Sequence, residues 1–124
     1  MSYSTTPFDY APTLIWSDML GTSNLDHLLD EEALALVKSI DEDDLERTFG
    51  ERPLDFYPGD YEYDEKGYTQ PYWYFKAING EVVGIGFRWG QPRAVGKNTT
   101  PERLSRFVKL VRQKIDNTLE YGVA

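Results

Sequence analysis

Apolar residues at steps of three and four predict helices in both halves of the chain. Residues 24–40 fit one amphipathic helix or two short consecutive helices, with Asp30-Glu31-Glu32 as a restart signal within them. The next segment predicts a short helix with Asp41 as its N-cap and Gly50 as its C-terminal stop. Residues 99–102, Thr-Thr-Pro-Glu, combine a capping box with proline in the first turn of a last helix. The apolar stripe of this helix consists of Leu104, Phe107, Val108, Val111, Ile115 and Leu119.

Two aromatic and β-branched runs, residues 72–78 and 81–89, flank Asn79-Gly80 and predict a β-hairpin with a two-residue type I′ turn. This register pairs Trp73 with Gly86 and Phe75 with Gly84, so that large rings shield bare backbone. Residues 54–63 predict one or two short strands around a turn, and residues 91–98 predict a polar loop. Residues 14–16 fit either an edge strand or a helix start.

The order of these elements is helices, strands, hairpin and helix, which favours the α+β class over alternating βαβ units. We expect an antiparallel sheet built around the 72–89 hairpin, with the N-terminal helices and the C-terminal helix packed on it. A chain of 124 residues with 40% apolar content suits one core. We therefore predict a flexible arm over residues 1–13 and a single domain over residues 14–124.

Charge is divided unevenly along the chain, whose net value is −8. Four basic and seventeen acidic residues precede position 67, whereas nine basic and four acidic residues follow it. The acidic half would repel phosphates, so we expect a basic protein partner and no direct contact with nucleic acid. We interpret the basic side of the last helix, which carries Arg106, Lys109 and Arg112, as a solvated face.

Several classes of chemistry find no support in the sequence. The chain has no cysteine, and its one histidine, His27, lies on a predicted helix, so we expect no catalytic triad, metal site or cofactor. The run Asp41-Glu42-Asp43-Asp44 has the charge of a calcium loop, but Leu45 stands where such a loop needs an oxygen ligand. No export signal or membrane-spanning run is evident, so we expect a cytoplasmic protein with no membrane contact.

Two acidic segments have the composition of a binding surface. Strand alternation would place Asp60, Glu62 and Asp64 on one side of a strand and Tyr61 and Tyr63 on the other. Aromatic rings beside carboxylates are typical of surfaces that dock on Lys or Arg. Eight rings lie close together in the sequence: Phe56, Tyr57, Tyr61, Tyr63, Tyr68, Tyr72, Trp73 and Tyr74.

The sequence therefore predicts a non-enzymatic, acidic protein-binding module, an inhibitor or an immunity or anti-defence protein that occupies a basic surface of its partner. The residues predicted to bind the partner are Asp41, Glu42, Asp43, Asp44, Asp60, Tyr61, Glu62, Tyr63 and Asp64. One alternative is a secretion-type chaperone or assembly factor, which would form a homodimer. A further alternative is a small-ligand protein or metal-dependent enzyme that uses the ladder Asp60, Glu62 and Asp64.

Overall fold

The computed structural model describes residues 10–11, 16–50, 54–55 and 71–121. These residues form an α+β fold, as predicted. The elements in chain order are β1 (Tyr10–Ala11), α1 (Trp16–Met19), β2 (Ser23–Asn24), a 3-10 turn (Asp26–Leu28), α2 (Glu31–Lys38), α3 (Glu42–Phe49), β3 (Leu54–Asp55), β4 (Pro71–Ala77), β5 (Val82–Arg88), β6 (Gln91–Lys97) and α4 (Pro101–Tyr121).

The described strands form one antiparallel sheet in the order β1-β4-β5-β6-β2, and β3 also pairs with β4. Strands β4, β5 and β6 are consecutive and make up the body of the sheet. The far side of β4 is flanked by two short strands, since β1 pairs at Lys76 and Ala77 and β3 pairs at Pro71 and Tyr72. Short edge strands of this kind protect a sheet against unwanted pairing.

The two faces of the sheet bury different side chains. One face packs against α2, α3 and α4, and its strand residues are Trp73, Phe75, Ala77, Val83, Ile85, Phe87 and Ala94. The opposite face carries a smaller cluster of Tyr72, Tyr74, Val82 and Val95 with Met19 of α1. The main core therefore lies between the sheet and the helices, where the stripe of α4 from Leu104 to Ile115 is fully buried. Leu119, the last predicted member of that stripe, is about half exposed.

The predicted hairpin is present, but its register differs from the prediction by one residue. Tyr72 lies opposite Gly86, and Tyr74 lies opposite Gly84. The loop holds three residues, 78–80, rather than two. The Gly80 amide donates to the Ala77 carbonyl at 3.2 Å, and Gly80 itself adopts a positive φ of 85°. Asn-Gly suits this longer loop as well as a type I′ turn, so local sequence does not decide between them.

Tertiary packing explains the observed register, because a slip of one residue turns every side chain of a strand to the other face. In the observed pairing, Val83, Ile85 and Phe87 share a face with Trp73 and Phe75 and complete an apolar surface for the helices. The predicted pairing would have placed the β5 apolar side chains on the same face as Lys76.

The segment predicted as a polar loop, residues 91–98, forms β6 as far as Lys97, so that prediction was wrong. A two-residue turn joins it to β5, with Arg88 opposite Gln91. Trp89 and Gly90 take φ values of 55° and 78°, the positive pair that a type I′ turn requires. Tryptophan pays a steric cost of about 1–2 kcal/mol in this region. Asn98 also has a positive φ, 56°, a conformation that asparagine adopts more readily than tryptophan does.

The predicted helices are confirmed, with their boundaries set by local signals. Residues 24–40 form the end of a short strand, a 3-10 turn and α2 instead of one helix. Asp30 is the N-cap at which α2 begins. Helix α3 lies between Asp41 and Gly50, whose φ is 86°. At the start of α4 the Thr100 hydroxyl accepts the Arg103 amide at 3.2 Å, so Thr100 acts as the cap before Pro101.

Some predictions lie outside the described residues. Of the predicted arm over residues 1–13, only Tyr10–Ala11 are described, as β1. Of residues 54–63, the structure describes only β3. Within the described ranges, no helix is both long and apolar enough to cross a membrane.

Candidate functional site

The first turn of α3 presents the acidic run that the sequence singled out. The Asp41 carbonyl accepts the amides of Asp44 and Leu45, both at 3.1 Å, which starts the helix. Leu45 is fully buried and anchors this turn in the core. Asp41 and Asp43 are exposed as a consequence, and Glu42 is half-buried. Carboxylates are favourable here because the unpaired amides give a helix N-terminus a partial positive charge.

Asp44 differs from the other three acids because it already has a partner. Its Oδ1 lies 2.8 Å from Nη1 of Arg47, one turn along the helix. In the described part of the chain, Asp41, Glu42 and Asp43 form no ion pair. Glu46 is exposed on the next turn, three residues after Asp43. We call Asp41, Glu42, Asp43 and Glu46 the acidic surface.

Lys109 of α4 pairs with acids at the start of α2 rather than with this surface. Nζ of Lys109 lies 3.0 Å from Oδ2 of Asp30 and 3.5 Å from Oε1 of Glu32. Arg112 binds Asp116 at 2.6 Å and donates to the Ser39 carbonyl at 3.2 Å. Lys109 and Arg112, which were interpreted as part of a solvated face, therefore join α4 to the two ends of α2. The interpretation as a solvated face holds only for Arg106, which is exposed.

Asp30 stabilises the fold both as a helix N-cap and as an ion-pair partner. Its Oδ1 accepts the Ala33 amide at 2.7 Å as an N-cap, while its backbone amide donates to the Ser105 hydroxyl at 2.9 Å. The Ala33 bond first, and then Lys109, hold the pKa of Asp30 below its usual value. The hydrogen bond to Asp30 raises the pKa of Lys109 in turn. Each shift favours the charged form that the ion pair requires.

The second predicted segment, with Asp60, Tyr61, Glu62, Tyr63 and Asp64, lies outside the described residues. Of the eight clustered rings, Tyr72, Trp73 and Tyr74 are described, and all are buried. Trp73 packs edge-on against Phe87 at 6.0 Å and donates from Nε1 to the Gly50 carbonyl at 2.9 Å. These three rings belong to the interior and do not contribute to a docking surface.

Tyr72 and Tyr74 stack on each other with ring centroids 5.4 Å apart. The Tyr74 hydroxyl lies 3.4 Å from the Thr22 hydroxyl, which itself donates to the Met19 carbonyl at 2.9 Å. Tyr74 is therefore the donor in its contact with Thr22. Burial raises the pKa of Tyr74 well above that of a free tyrosine, because the phenolate would lose its hydration.

A buried carboxylate that the sequence did not reveal lies at the turn between β4 and β5. Glu81 follows the β4–β5 turn and is only 1% exposed. It accepts from the Thr99 hydroxyl at 2.5 Å and from Nε of Arg103 at 2.7 Å. Because these partners flank the start of α4, the cluster fastens the hairpin turn to that helix. A structural role accounts for all of its contacts.

The described residues hold no group of three His, Cys, Asp or Glu side chains placed to bind a metal ion. His27 is exposed on the 3-10 turn. Comparison of the chain with models of known protein families, with curated proteins and with solved structures found no match.

Proposed function

We propose that this protein is an acidic binding module that docks on a basic surface of another protein through the acidic surface of α3. The observation that carries the proposal is the separation of acids into two groups. Asp30 and Glu32, at the start of α2, are paired with Lys109, whereas Asp41, Glu42 and Asp43 have no described partner. Cations on a partner would complete these contacts.

The wider charge distribution supports the same partner chemistry. Residues 26–50 contain nine acidic and only two basic residues, and the whole chain carries −8. A field of this sign speeds encounters with a basic protein and slows encounters with nucleic acid. The role we propose is therefore that of an inhibitor or immunity-type protein that covers a cationic site on its partner.

The proposal predicts a specific electrostatic effect on association. A unit charge in water contributes about 0.4 kcal/mol to an interaction at roughly 10 Å. Removing two charges with Asp41→Asn and Asp43→Asn should therefore slow association about fourfold at low ionic strength, and salt should diminish the difference. Asparagine keeps the N-cap preference at position 41, so the helix should remain intact.

The experiment begins with capture of partners from a lysate of the source organism and continues with association kinetics on the purified partner. The double variant E102Q/E120Q is the matched control, because both residues are exposed and Glu102 is the second residue of α4, as Asp43 is of α3. Loss of two charges at the control positions should change association much less. Equal kinetics for the two double variants would remove the acidic surface from the proposal.

A further inference from the structure

The loop between β4 and β5 places an exposed asparagine, Asn79, directly before a glycine, Gly80. Asparagine is a thermolabile residue, because the backbone nitrogen that follows it can attack its side-chain carbonyl carbon. This attack is fastest where no side chain crowds the nitrogen. Gly80 has no side chain, and even a Cβ atom added to it would meet no described atom within 4 Å. The Asn79 amide can therefore approach this nitrogen without steric hindrance.

A hydrogen bond already polarises the side chain of Asn79. Its Oδ1 accepts the backbone amide of Glu81 at 3.1 Å, which turns the side chain back along its own main chain. Attack on the carbonyl carbon would develop negative charge on this oxygen, and a donor aimed at it stabilises that charge. The opposing contact is the Gly80 amide, which donates to the Ala77 carbonyl at 3.2 Å, the long end of the usual range. Opening one bond of this kind slows the reaction by about tenfold at most.

Asn24 shows which part of this arrangement is specific to Asn79. It is also exposed, and its Oδ1 accepts the amide of Asp26, again two residues along the chain, at 3.0 Å. The residue after it is Leu25, whose side chain packs against the main core and whose amide donates to the Ala94 carbonyl at 2.8 Å. The two asparagines thus share the activating hydrogen bond but differ in the nitrogen that would attack.

We propose that Asn79 is a site of spontaneous deamidation in the folded protein. The Gly80 nitrogen loses its proton to hydroxide and bonds to Cγ of Asn79, while Nδ2 takes a proton from water and leaves as ammonia. The product of this step is a succinimide ring. Water then opens the ring, giving aspartate where the bond from nitrogen to Cγ breaks and isoaspartate where the bond to the main-chain carbonyl carbon breaks. Overall, water is consumed and ammonia is released, with no oxidation or reduction.

The isoaspartate product lengthens the main chain by a methylene group between residues 79 and 80. The loop is closed by the Ala77 amide, which donates to the Glu81 carbonyl at 2.9 Å, so extra length must displace its neighbours. The Glu81 side chain is buried and held by Thr99 and Arg103. We therefore expect the longer loop to weaken these contacts and to loosen the hairpin from the start of α4.

The first test measures where and how fast the intact protein deamidates. Purified protein is kept at mildly alkaline pH, either folded or in urea, and its peptides are followed by tandem mass spectrometry. In the folded protein, the change from amide to acid should be at least tenfold faster at Asn79 than at Asn24. The other two asparagines, Asn98 and Asn117, are each followed by threonine and should be as slow as Asn24. Deamidation of Asn79 only in urea, or equal rates at Asn79 and Asn24, would overturn the proposal.

The second test measures the consequence for stability. The aspartate and isoaspartate forms are separated by chromatography, and their thermal unfolding is compared with that of fresh protein. The isoaspartate form should melt about 3–6 °C lower, whereas Asn79→Asp should melt within about 2 °C of the wild type because it keeps an oxygen for the Glu81 amide. An unchanged melting temperature for the isoaspartate form would contradict the expected loosening.

Asn79→Ser is the matched control for ageing. Its hydroxyl can accept the Glu81 amide as Oδ1 of asparagine does, but it cannot form the succinimide ring. The melting temperature of N79S should therefore stay constant during the incubation in which that of the wild type falls. An equal fall in both proteins would show that the damage arises at another residue and would refute the role of Asn79.

Discussion

The observed β4–β5 register can be tested through Gly86. A Cβ atom added there would overlap Cδ1 and Cε1 of Tyr72, whose ring is buried and stacked on Tyr74. Carbon atoms need about 3.5–4.0 Å, so the ring must move, and overpacking of this kind costs about 1–3 kcal/mol. Replacing glycine in a strand gains about 0.5–1 kcal/mol, so the net cost of Gly86→Ala should be about 1–2 kcal/mol.

The destabilisation caused by Gly86→Ala should depend on the presence of the Tyr72 ring. In a Tyr72→Leu background the obstacle is gone, and Gly86→Ala should be neutral or slightly stabilising. The double-mutant cycle should therefore give a coupling of about 2 kcal/mol. The same cycle with Trp73→Leu should be additive within about 0.5 kcal/mol, because Trp73 lies on the other face. The assay is urea unfolding followed by circular dichroism.

Gly84 provides the contrast for this cycle. Its added Cβ would lie 2.7 Å from the Trp73 carbonyl oxygen as well as 2.9 Å from Cδ1 of Tyr74. Because the backbone cannot move aside, Gly84→Ala should stay destabilising after Tyr74→Leu. Coupling of Gly86 to Trp73 instead of Tyr72 would refute the observed register and restore the two-residue turn.

Two further predictions concern buried polar groups. The pKa of Tyr74 is raised in the folded state, so its contribution to stability is present below about pH 10 and lost above it, at about 1.4 kcal/mol per pH unit. Tyr74→Phe should flatten this alkaline loss in urea titrations at pH 9 and 11, and an equal slope in both proteins would contradict the assignment. Arg103→Ala should destabilise at least as much as Glu81→Ala, each by about 2–3 kcal/mol, because it leaves the Glu81 carboxylate buried without its cation. The double variant should cost less than the sum, and additive losses in thermal unfolding would argue against the pair.

Local signals allowed the helices to be predicted from the sequence. Asp30, Asp41 and Thr100 each stand at a helix start, and Gly50 takes the positive φ that ends α3. Such boundaries depend on a few neighbouring residues and on backbone conformation. They are therefore visible without knowledge of the rest of the fold.

The sheet depends more on tertiary contacts, and this is where the predictions failed. Strand β6 contains Gln91, Pro92, Arg93, Gly96 and Lys97, which give it little strand propensity. It forms because β5 and β2 pair with it, and because Asp26 accepts the Ala94 amide at 2.7 Å. The type I′ turn was predicted at Asn79-Gly80 but occurs at Trp89-Gly90, a pair whose composition does not indicate it.

The exposure of part of the acidic segment could be anticipated from the sequence, whereas the burial of the tyrosines could not. The exposure of Asp41 and Asp43 follows from a helix in which Leu45 and Phe49, four residues apart in the sequence, face inward. The burial of Tyr72 and Tyr74 arises from a second, smaller core on the face of the sheet away from the main helices. Nor could the sequence show that Lys109 pairs with Asp30, since that pairing joins residues 79 positions apart.

The N-cap residues of α2 and α3, Asp30 and Asp41, differ in what their side chains contribute to the fold. Asp30 and Asp41 begin successive helices of eight residues, and each is followed by acids in the first turn. Asp30 caps Ala33, pairs with Lys109 and so contributes to the fold through both of its oxygens. Asp41 makes no side-chain capping bond, and in the described part of the chain no cation pairs with Asp41, Glu42 or Asp43. Beyond the helix dipole, the described contacts give Asp41, Glu42 and Asp43 no role in the fold, and these are the three acids that we propose a cationic partner would bind.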